Sequence, residues 1–321
     1  MKPALVGDIG GTNARFALWT EGHISSVQTL ATAQFETPEV AIRHYLSSLG
    51  RVPQQIADLC LACAGPVSGE HFRFTNSHWS LSRTGLSQAL ELDHLLLIND
   101  FTAMALGMTR LHEQQCRVIR SGQADPNSPI LVIGPGTGLG VSTLVPEPNN
   151  GWRVLPGEGG HVDLPVGSLR ELALWQQLFS EFGHVRAEDV LSGRGLVRLY
   201  RAICTLDQHQ AHLDTPSEIS KAALAGDPVA IEVLSLFCIW LGRVAGNAVL
   251  TTGARGGVYV VGGVIPRFSD FFLASGFADS FCAKGCMSHY LEQVPAWLVT
   301  AEYPGLEGAG VALEQLLNKS A

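Results

Sequence analysis

Asp8-Ile9-Gly10-Gly11-Thr12-Asn13 breaks an apolar opening, Ala4-Leu5-Val6, and is followed by a second apolar run over residues 14–19. Two short apolar segments around a Gly-rich tip predict a β-hairpin. The theme returns 125 residues later. An apolar strand at 130–133 runs into Gly134-Pro135-Gly136-Thr137-Gly138-Leu139-Gly140, and another follows at 141–145. Gly11-Thr12-Asn13 then overlies Gly136-Thr137-Gly138, which suggests an internal duplication of one α/β unit. In both loops, glycines let backbone N–H groups approach an anion closely, and a threonine adds a hydroxyl donor. A carboxylate at Asp8 suits Mg²⁺, which takes one or two carboxylates beside substrate phosphates. An ordinary turn also favours Gly and Asn; the repetition is what favours the ligand reading.

Strands and helices alternate along the rest of the chain. Helical spacing covers 37–49, with Thr37 as N-cap and Pro38 at N1. Residues 59–67 read as a buried strand, 81–92 as a helix, 94–98 as a strand, and a helix starts after Asn99-Asp100. Helices are expected at 169–182, 187–206, from Asp227-Pro228 to about residue 250, at 268–284 and at 306–318. Strands are expected at 257–261 and 296–301. At 321 residues, two similar lobes are the first expectation.

Composition removes several function classes. The net charge is −8, with 21 basic and 29 acidic residues, which argues against a nucleic-acid surface. The most apolar window, 233–242, is half the length of a membrane span, and the N-terminus lacks the pattern of a signal peptide. Neither a membrane nor a nucleic acid is therefore expected as partner, and a reducing cytoplasm is. Seven scattered cysteines form no disulfide framework. Cys60-Leu-Ala-Cys63 has metal spacing but no second pair, and reads as buried small hydrophobes. The four lysines, Lys2, Lys221, Lys284 and Lys319, give neither a Walker A loop nor a protein-kinase strand lysine. A strict GxGxxG is absent from both loops. Phosphate charge would have to be met by a metal ion and backbone amides.

Three polar groups stand out beyond the loops. Asn99-Asp100 follows a buried strand and opens a helix, where either residue suits an N-cap and where α/β proteins also bind ligands. Glu158 and His161 lie in Pro156-Gly-Glu-Gly-Gly-His-Val-Asp163 and could grip hydroxyls. His161 with Asp163 could equally be two of three iron ligands. Glu188 begins a helix, where acids favour the dipole. Gly262-Gly263 after a buried strand lets something flat lie on backbone, or simply turns the chain. Asn76 reads as a surface polar residue.

Asp8–Asn13, Asn99-Asp100, Gly134–Gly140, Pro156–Asp163, Glu188–Gly193 and Val260–Pro266, in this order and spacing, resemble the bacterial ATP-dependent glucokinases of the group without the zinc-binding cysteine cluster. The resemblance runs from Ala4 to the last helix. It implies an α/β fold of two ribonuclease-H-like lobes of the actin and hexokinase type, with mixed β-sheets flanked by helices and the active site in the cleft. A small domain of residues 1–109 with 302–321 and a large one of 110–301 are expected. Phosphorylation of D-glucose to glucose 6-phosphate by Mg-ATP is implied, with Asp100 as catalytic base. Asn99, Asp100, Glu158, His161 and Glu188 match the residues that hold glucose hydroxyls. Gly7, Asp8, Ile9, Gly10, Gly11 and Thr12 match the first phosphate loop, which puts Asp8 near Mg²⁺, reached through water. Gly136, Thr137 and Gly138 match the second loop, and Gly262 and Gly263 the adenosine motif. No zinc is expected, and a homodimer is. The alternatives are a kinase of another hexose, an ATP-switched regulatory protein, and a His/Asp iron enzyme.

Overall fold

Strand β1 (Ala4–Ile9) is buried along its length except at Asp8, as expected of a central strand covered on both faces. The computed structural model describes residues 3–65, 67–74, 77–148 and 151–320; Asn76 lies outside them. After β1 the chain turns, with the Gly10 N–H donating to the Asn13 carbonyl at 2.9 Å. It returns as β2 (Asn13–Thr20), antiparallel, with Arg15 opposite Asp8. Strand β3 (His23–Ala31) continues outward as a mostly polar edge. On the other side of β1 come β4 (Asp58–Cys63) and β7 (His94–Asn99), both parallel to their neighbours, so the order is β3-β2-β1-β4-β7. Strands β5 (His71–Arg73) and β6 (Ser80–Ser82) form a separate small ribbon.

The helix Pro38–Ser48 starts as its sequence predicts. Thr37 accepts a hydrogen bond from the Val40 N–H at 3.3 Å, and Pro38 occupies N1. Its Ile42, Tyr45 and Leu46 pack with Phe16, Leu59 and Leu61. The other face of the sheet is covered by Asp100–Gly107 and Pro304–Ser320, which pack on each other and on β4.

The second hairpin is β9 (Ile130–Pro135) and β10 (Leu139–Pro146), antiparallel. Strand β11 is Trp152–Gly157. Strand β12 (Val258–Val260) lies parallel to β9, and β13 (Ala296–Val299) parallel to β12. Strand β8 (Cys116–Arg120) is antiparallel to β13. In each sheet the first strand of a hairpin passes parallel to a later strand, so the suspected duplication is present in the topology and not only in the loop spelling. The two compact units are residues 1–112, 148–156 and 301–321, and residues 113–147 and 157–300.

The interior of the second unit is organised by the helix Pro228–Thr252, capped by Asp227 at Ala230 N–H. Its 25 residues and hydropathy would allow a membrane crossing by length and composition, yet 67% of that apolar window is buried inside the protein. Trp240 is fully buried and donates its indole N–H to the Pro165 carbonyl at 2.8 Å. This is a core helix, fuller than the ten-residue apolar window predicts. Cys60 and Cys63 are buried free thiols, and burial pushes both well above the ordinary thiol range.

Two expected helices are broken. Residues 187–206 form Ala187–Val190 and Gly193–Leu206, because Ser192 starts a new helix by accepting the Gly195 N–H at 3.0 Å. Residues 268–284 divide into Ser269–Leu273 and Phe277–Cys282, interrupted near Gly276.

Candidate active site

In the first unit, adjacent strand ends bring together Asp8, Asn99 and Asp100. Strand β4 pairs with both β1 and β7, with Ile9 opposite Cys63 and Cys63 opposite Asn99. Asn99 is the N-cap of Asp100–Gly107. Its Oδ1 accepts from the Phe101 and Thr102 N–H groups at 2.9 and 3.1 Å. Its amide nitrogen donates to the Gly65 carbonyl at 3.3 Å and to Asp100 Oδ1 at 3.0 Å. The cap that the sequence leaves open between two residues therefore falls to Asn99, and Asp100 stands at the first helical position. Asp100 Oδ1 also accepts from the Phe101 N–H at 2.9 Å. Its Oδ2 has no partner among the described residues.

Burial raises the Asp100 carboxyl to about 6, with the Asp8 charge adding to the rise and the Phe101 and Asn99 hydrogen bonds opposing it. Asp8 is raised as well, by burial first, against the pull of Arg15, whose guanidinium lies 3.3 Å from Asp8 Oδ2. Gly305, in the first turn of Pro304–Ser320, is close enough that a Cβ there would stand 3.5 Å from the same oxygen. Asp8 thus faces a helix N-terminus, which favours negative charge. Of the other residues in this loop, Gly7 and Ile9 turn into the core. A Cβ on Gly7 would meet Leu61 at 2.6 Å, and Ile9 is 1% exposed. Both also pair with β2 and β4 on either side, whereas Thr12 is exposed. Gly11 also lines a cavity of about 630 Å³ with Thr32, Ala33, Arg73, Phe74, Ser77 and His78; Asp8 and Asp100 are not among its lining residues.

The second unit gathers the remaining candidates around Leu139, the first residue after the second Gly loop. The loop closes on itself, Gly136 N–H to Gly138 carbonyl at 2.7 Å. Glu188 Oε2 accepts the Leu139 N–H at 2.8 Å, and a Cβ on Gly138 would lie 2.2 Å from that oxygen. Gly160 packs on the Leu139 carbonyl so tightly that a Cβ would come within 2.2 Å. That contact seats the short turn Gly159–His161 on β10. Glu158 and His161 flank this turn, Oε2 to Nδ1 at 3.5 Å, with Glu158 86% exposed and free to meet a ligand. Gly262 has φ +95° and presses on the Pro135 carbonyl, a conformation that favours glycine. Gly263 beside it faces open space.

The sequence does not single out the charged cluster beneath Glu188. Asp189 is 2% exposed. It takes hydrogen bonds from Arg186 Nε and Nη2 at 3.0 and 2.8 Å, from the Arg186 N–H at 3.0 Å and from Arg198 at 2.8 Å. The Arg186-x-x-Asp189 spacing, which suits an i,i+3 pair, was the available signal. Asp163 pairs with His184 at 3.5 Å, and among the described residues no group of three His, Cys, Asp or Glu side chains could hold a metal ion.

Comparison with known proteins places this arrangement. Residues 5–316 match the family model described as Glucokinase. The glucokinase of Pseudomonas aeruginosa strain LESB58 is 53% identical over 315 residues, covering 98% of this chain and 95% of that protein. The crystal structure of a glucokinase from an Antarctic psychrotroph superposes with a TM-score of 0.90 at 39% identity, covering 98% of this chain and 99% of that one. The glucokinase of Balamuthia mandrillaris, solved in complex with glucose, shares the fold at a TM-score of 0.76 and 24% identity, covering 98% and 94%. The fold is thus the mixed α/β architecture of the sugar kinases, of the actin and hexokinase type.

Proposed function

This chain belongs to the glucokinase family, and from that premise we propose how its residues transfer the γ-phosphoryl group of ATP to the 6-hydroxyl of D-glucose. The product is glucose 6-phosphate. The observation that carries the residue assignment is Asp100: a half-buried carboxylate at a helix start, one oxygen held by Asn99 and Phe101, the other unengaged. A base needs this arrangement, fixed in direction yet with a lone pair free for the proton of the attacking hydroxyl. Its raised pKa, about 6, makes it a better proton acceptor than an ordinary surface aspartate while leaving it ionised at neutral pH.

Glu158, His161 and Glu188, with Asn99 and Asp100, hold the sugar hydroxyls. Asn99 has most of its hydrogen-bonding capacity committed within the protein, so its larger contribution is to aim Asp100. The loops of residues 7–12 and 136–138 receive the phosphates through backbone N–H groups and threonine hydroxyls, and the Gly262-Gly263 turn receives the adenosine. Phosphoryl transfer passes through a loose transition state, so positioning and charge stabilisation supply most of the acceleration.

The donor set also fits Mg²⁺. Asp8 and Asp100 are two carboxylates raised by burial with one guanidinium, Arg15, beside them, an oxygen-rich site short of positive charge. Asp8 would hold the ion, through water. When bound, Mg²⁺ neutralises charge on the phosphate oxygens. A cytoplasmic homodimer completes this reading. The helix Leu169–Phe182 supports self-association, since it exposes Leu169, Leu172 and Phe179. Analytical ultracentrifugation should then report two chains per particle; one chain at micromolar concentration would remove the dimer.

The deciding experiment is a panel of hexoses with MgATP in an assay coupled to ADP formation. Glucose should be turned over with the highest kcat/KM. A preference for mannose or an amino sugar would make the chain a kinase of another hexose. Glu158→Gln, in the same assay, should raise KM for glucose by about tenfold or more, as losing a charged hydrogen bond costs about 1.5–3 kcal/mol. KM for ATP should move little. Equal rises in both would take Glu158 out of the sugar site.

A further inference from the structure

Glu188 is assigned to the sugar, yet its visible hydrogen bond is to the phosphate loop. Oε2 accepts the Leu139 N–H at 2.8 Å, and the Gly138 backbone lies directly against the carboxylate. Oε1 accepts nothing from a described residue. Five residues on, the Gly193 N–H donates to the Gly136 carbonyl at 2.9 Å. The segment from Glu188 to Gly193 therefore grips the loop at both ends. The turn bearing Glu158 and His161 rests on the carbonyl of the same Leu139. A sugar held by these side chains and a phosphate held by this loop would share one backbone residue.

What keeps Glu188 aimed at Leu139 is its neighbour. Ala187–Val190 is a single helical turn, too short to hold its own direction. Asp189 pins it through Arg186 and Arg198. Burial alone would raise the Asp189 carboxyl, but its arginine partners overcome that and hold it below the ordinary range. The Ala187 N–H also donates to the Val162 carbonyl at 2.8 Å, next to His161.

We propose that Asp189, held by Arg186 and Arg198, is a positioning residue that fixes Glu188 against Leu139 and thereby couples sugar binding to the conformation of the Gly136–Gly138 phosphate loop. The inference rests on the glucokinase reading above. Glucose on Glu188 would hold the loop in the geometry that receives a nucleotide, and by linkage a bound nucleotide would tighten glucose by the same factor. Such a device favours the ternary complex over either binary one.

The test is the ratio of dissociation constants for the magnesium complex of a non-hydrolysable ATP analogue, measured without and with saturating glucose. Wild-type protein should show a ratio of about five or more, the lower end of ordinary coupling. In Asp189→Asn the ratio should fall to within about twofold of unity. Arg198→Gln keeps the Arg186 contacts, so it remains folded if Asp189→Asn does not, and its ratio should fall between the two. A purely structural role for Asp189 would weaken both ligands and leave the ratio at its wild-type value, and that result in a folded variant overturns the proposal. Wild-type protein that binds both ligands with a ratio of one overturns it as well. Wild-type protein that binds neither glucose nor the analogue overturns the glucokinase reading itself.

Discussion

Asp100→Asn should lose at least about a thousandfold in kcat, towards the upper end of what a general base supplies, and melt at a higher temperature than the wild type. The two effects have one cause. The folded protein holds the Asp100 carboxyl near 6, against 3.8 for a free side chain, mainly because burial disfavours the charge. Ionising it at neutral pH works against folding. The full shift corresponds to about 3 kcal/mol, and partial exposure reduces this to about 1–2 kcal/mol. Asparagine removes the charge and can retain the hydrogen bond to the Phe101 N–H. The sign fixes the pH window. Below about pH 4 the aspartate is protonated in both folded and unfolded chains, and the variant gains nothing from the missing charge. Between about 4 and 6 the folded wild type binds more protons than the unfolded chain, so its stability declines as pH rises. The advantage of the variant should open across that interval and stay constant above it. Thermal melts of ligand-free, metal-free protein from pH 4 to 8 would show this. A gap already full at pH 4, or a variant less stable at pH 7, would contradict the burial argument; a variant keeping most of its kcat would remove Asp100 as the base.

Local chemistry explains why the two hairpins were legible in the sequence. Their strands are apolar, their tips are glycines, and a turn of a few residues leaves the chain little choice. The Thr37-Pro38 helix start was equally readable, because the cap and the proline both act within one turn. Asn99-Asp100 was readable as a strand end that opens a helix, but not in which of the two residues caps it. Either side chain can cap a helix; Asn99 takes the Phe101 and Thr102 N–H groups, and one of the contacts that orient its amide, the Gly65 carbonyl, comes from the chain after β4. The same limit explains the misread helix at 187–206. Apolar spacing persists through Leu191, Leu196 and Leu199, all fully buried, so periodicity runs across the break. Ser192 caps the new helix locally, and the break is also held from a distance, by Asp189 drawn to Arg198 and Gly193 drawn to the Gly136 carbonyl. The edge strand β3 was missed because an edge with polar residues lacks the apolar alternation that marks a half-buried strand. The proposed site residues are named in the sequence by type and order alone, while the gathering of Glu188 and the turn at Gly159–His161 around Leu139 depends on glycine packing that no local rule reports.

Glycine packing also sets the second large effect, in the helix pair behind Asp100. The helix Asp100–Gly107, which carries the proposed base, lies against Pro304–Ser320, and the two backbones approach so closely that side chains do not fit between them. A Cβ on Gly308 would stand 1.7 Å from the Ala103 carbonyl oxygen, and one on Gly107 would stand 2.0 Å from the Pro304 carbonyl oxygen. The obstacle in each case is backbone, which cannot rotate away as a side chain could. Gly308→Val must therefore push the two helices apart. Overpacking a core commonly costs about 1–3 kcal/mol, and a rigid carbonyl should bring the loss to the upper end of that range or beyond. Separation of the helices would also carry Gly305 away from Asp8 and shift the start of the helix that aims Asp100. Gly308→Val should thus melt many degrees lower, and whatever fraction remains folded should show a kcat at least about tenfold down. Gly285→Ala, at a position with φ +56° and nothing within 4 Å, is the comparison: it strains the backbone by about 1 kcal/mol without touching this helix pair, and should keep the wild-type kcat. If Gly308→Val melts with the wild type, the two helices have room that their closest atoms deny, and the placement of Asp100 by helix packing is wrong.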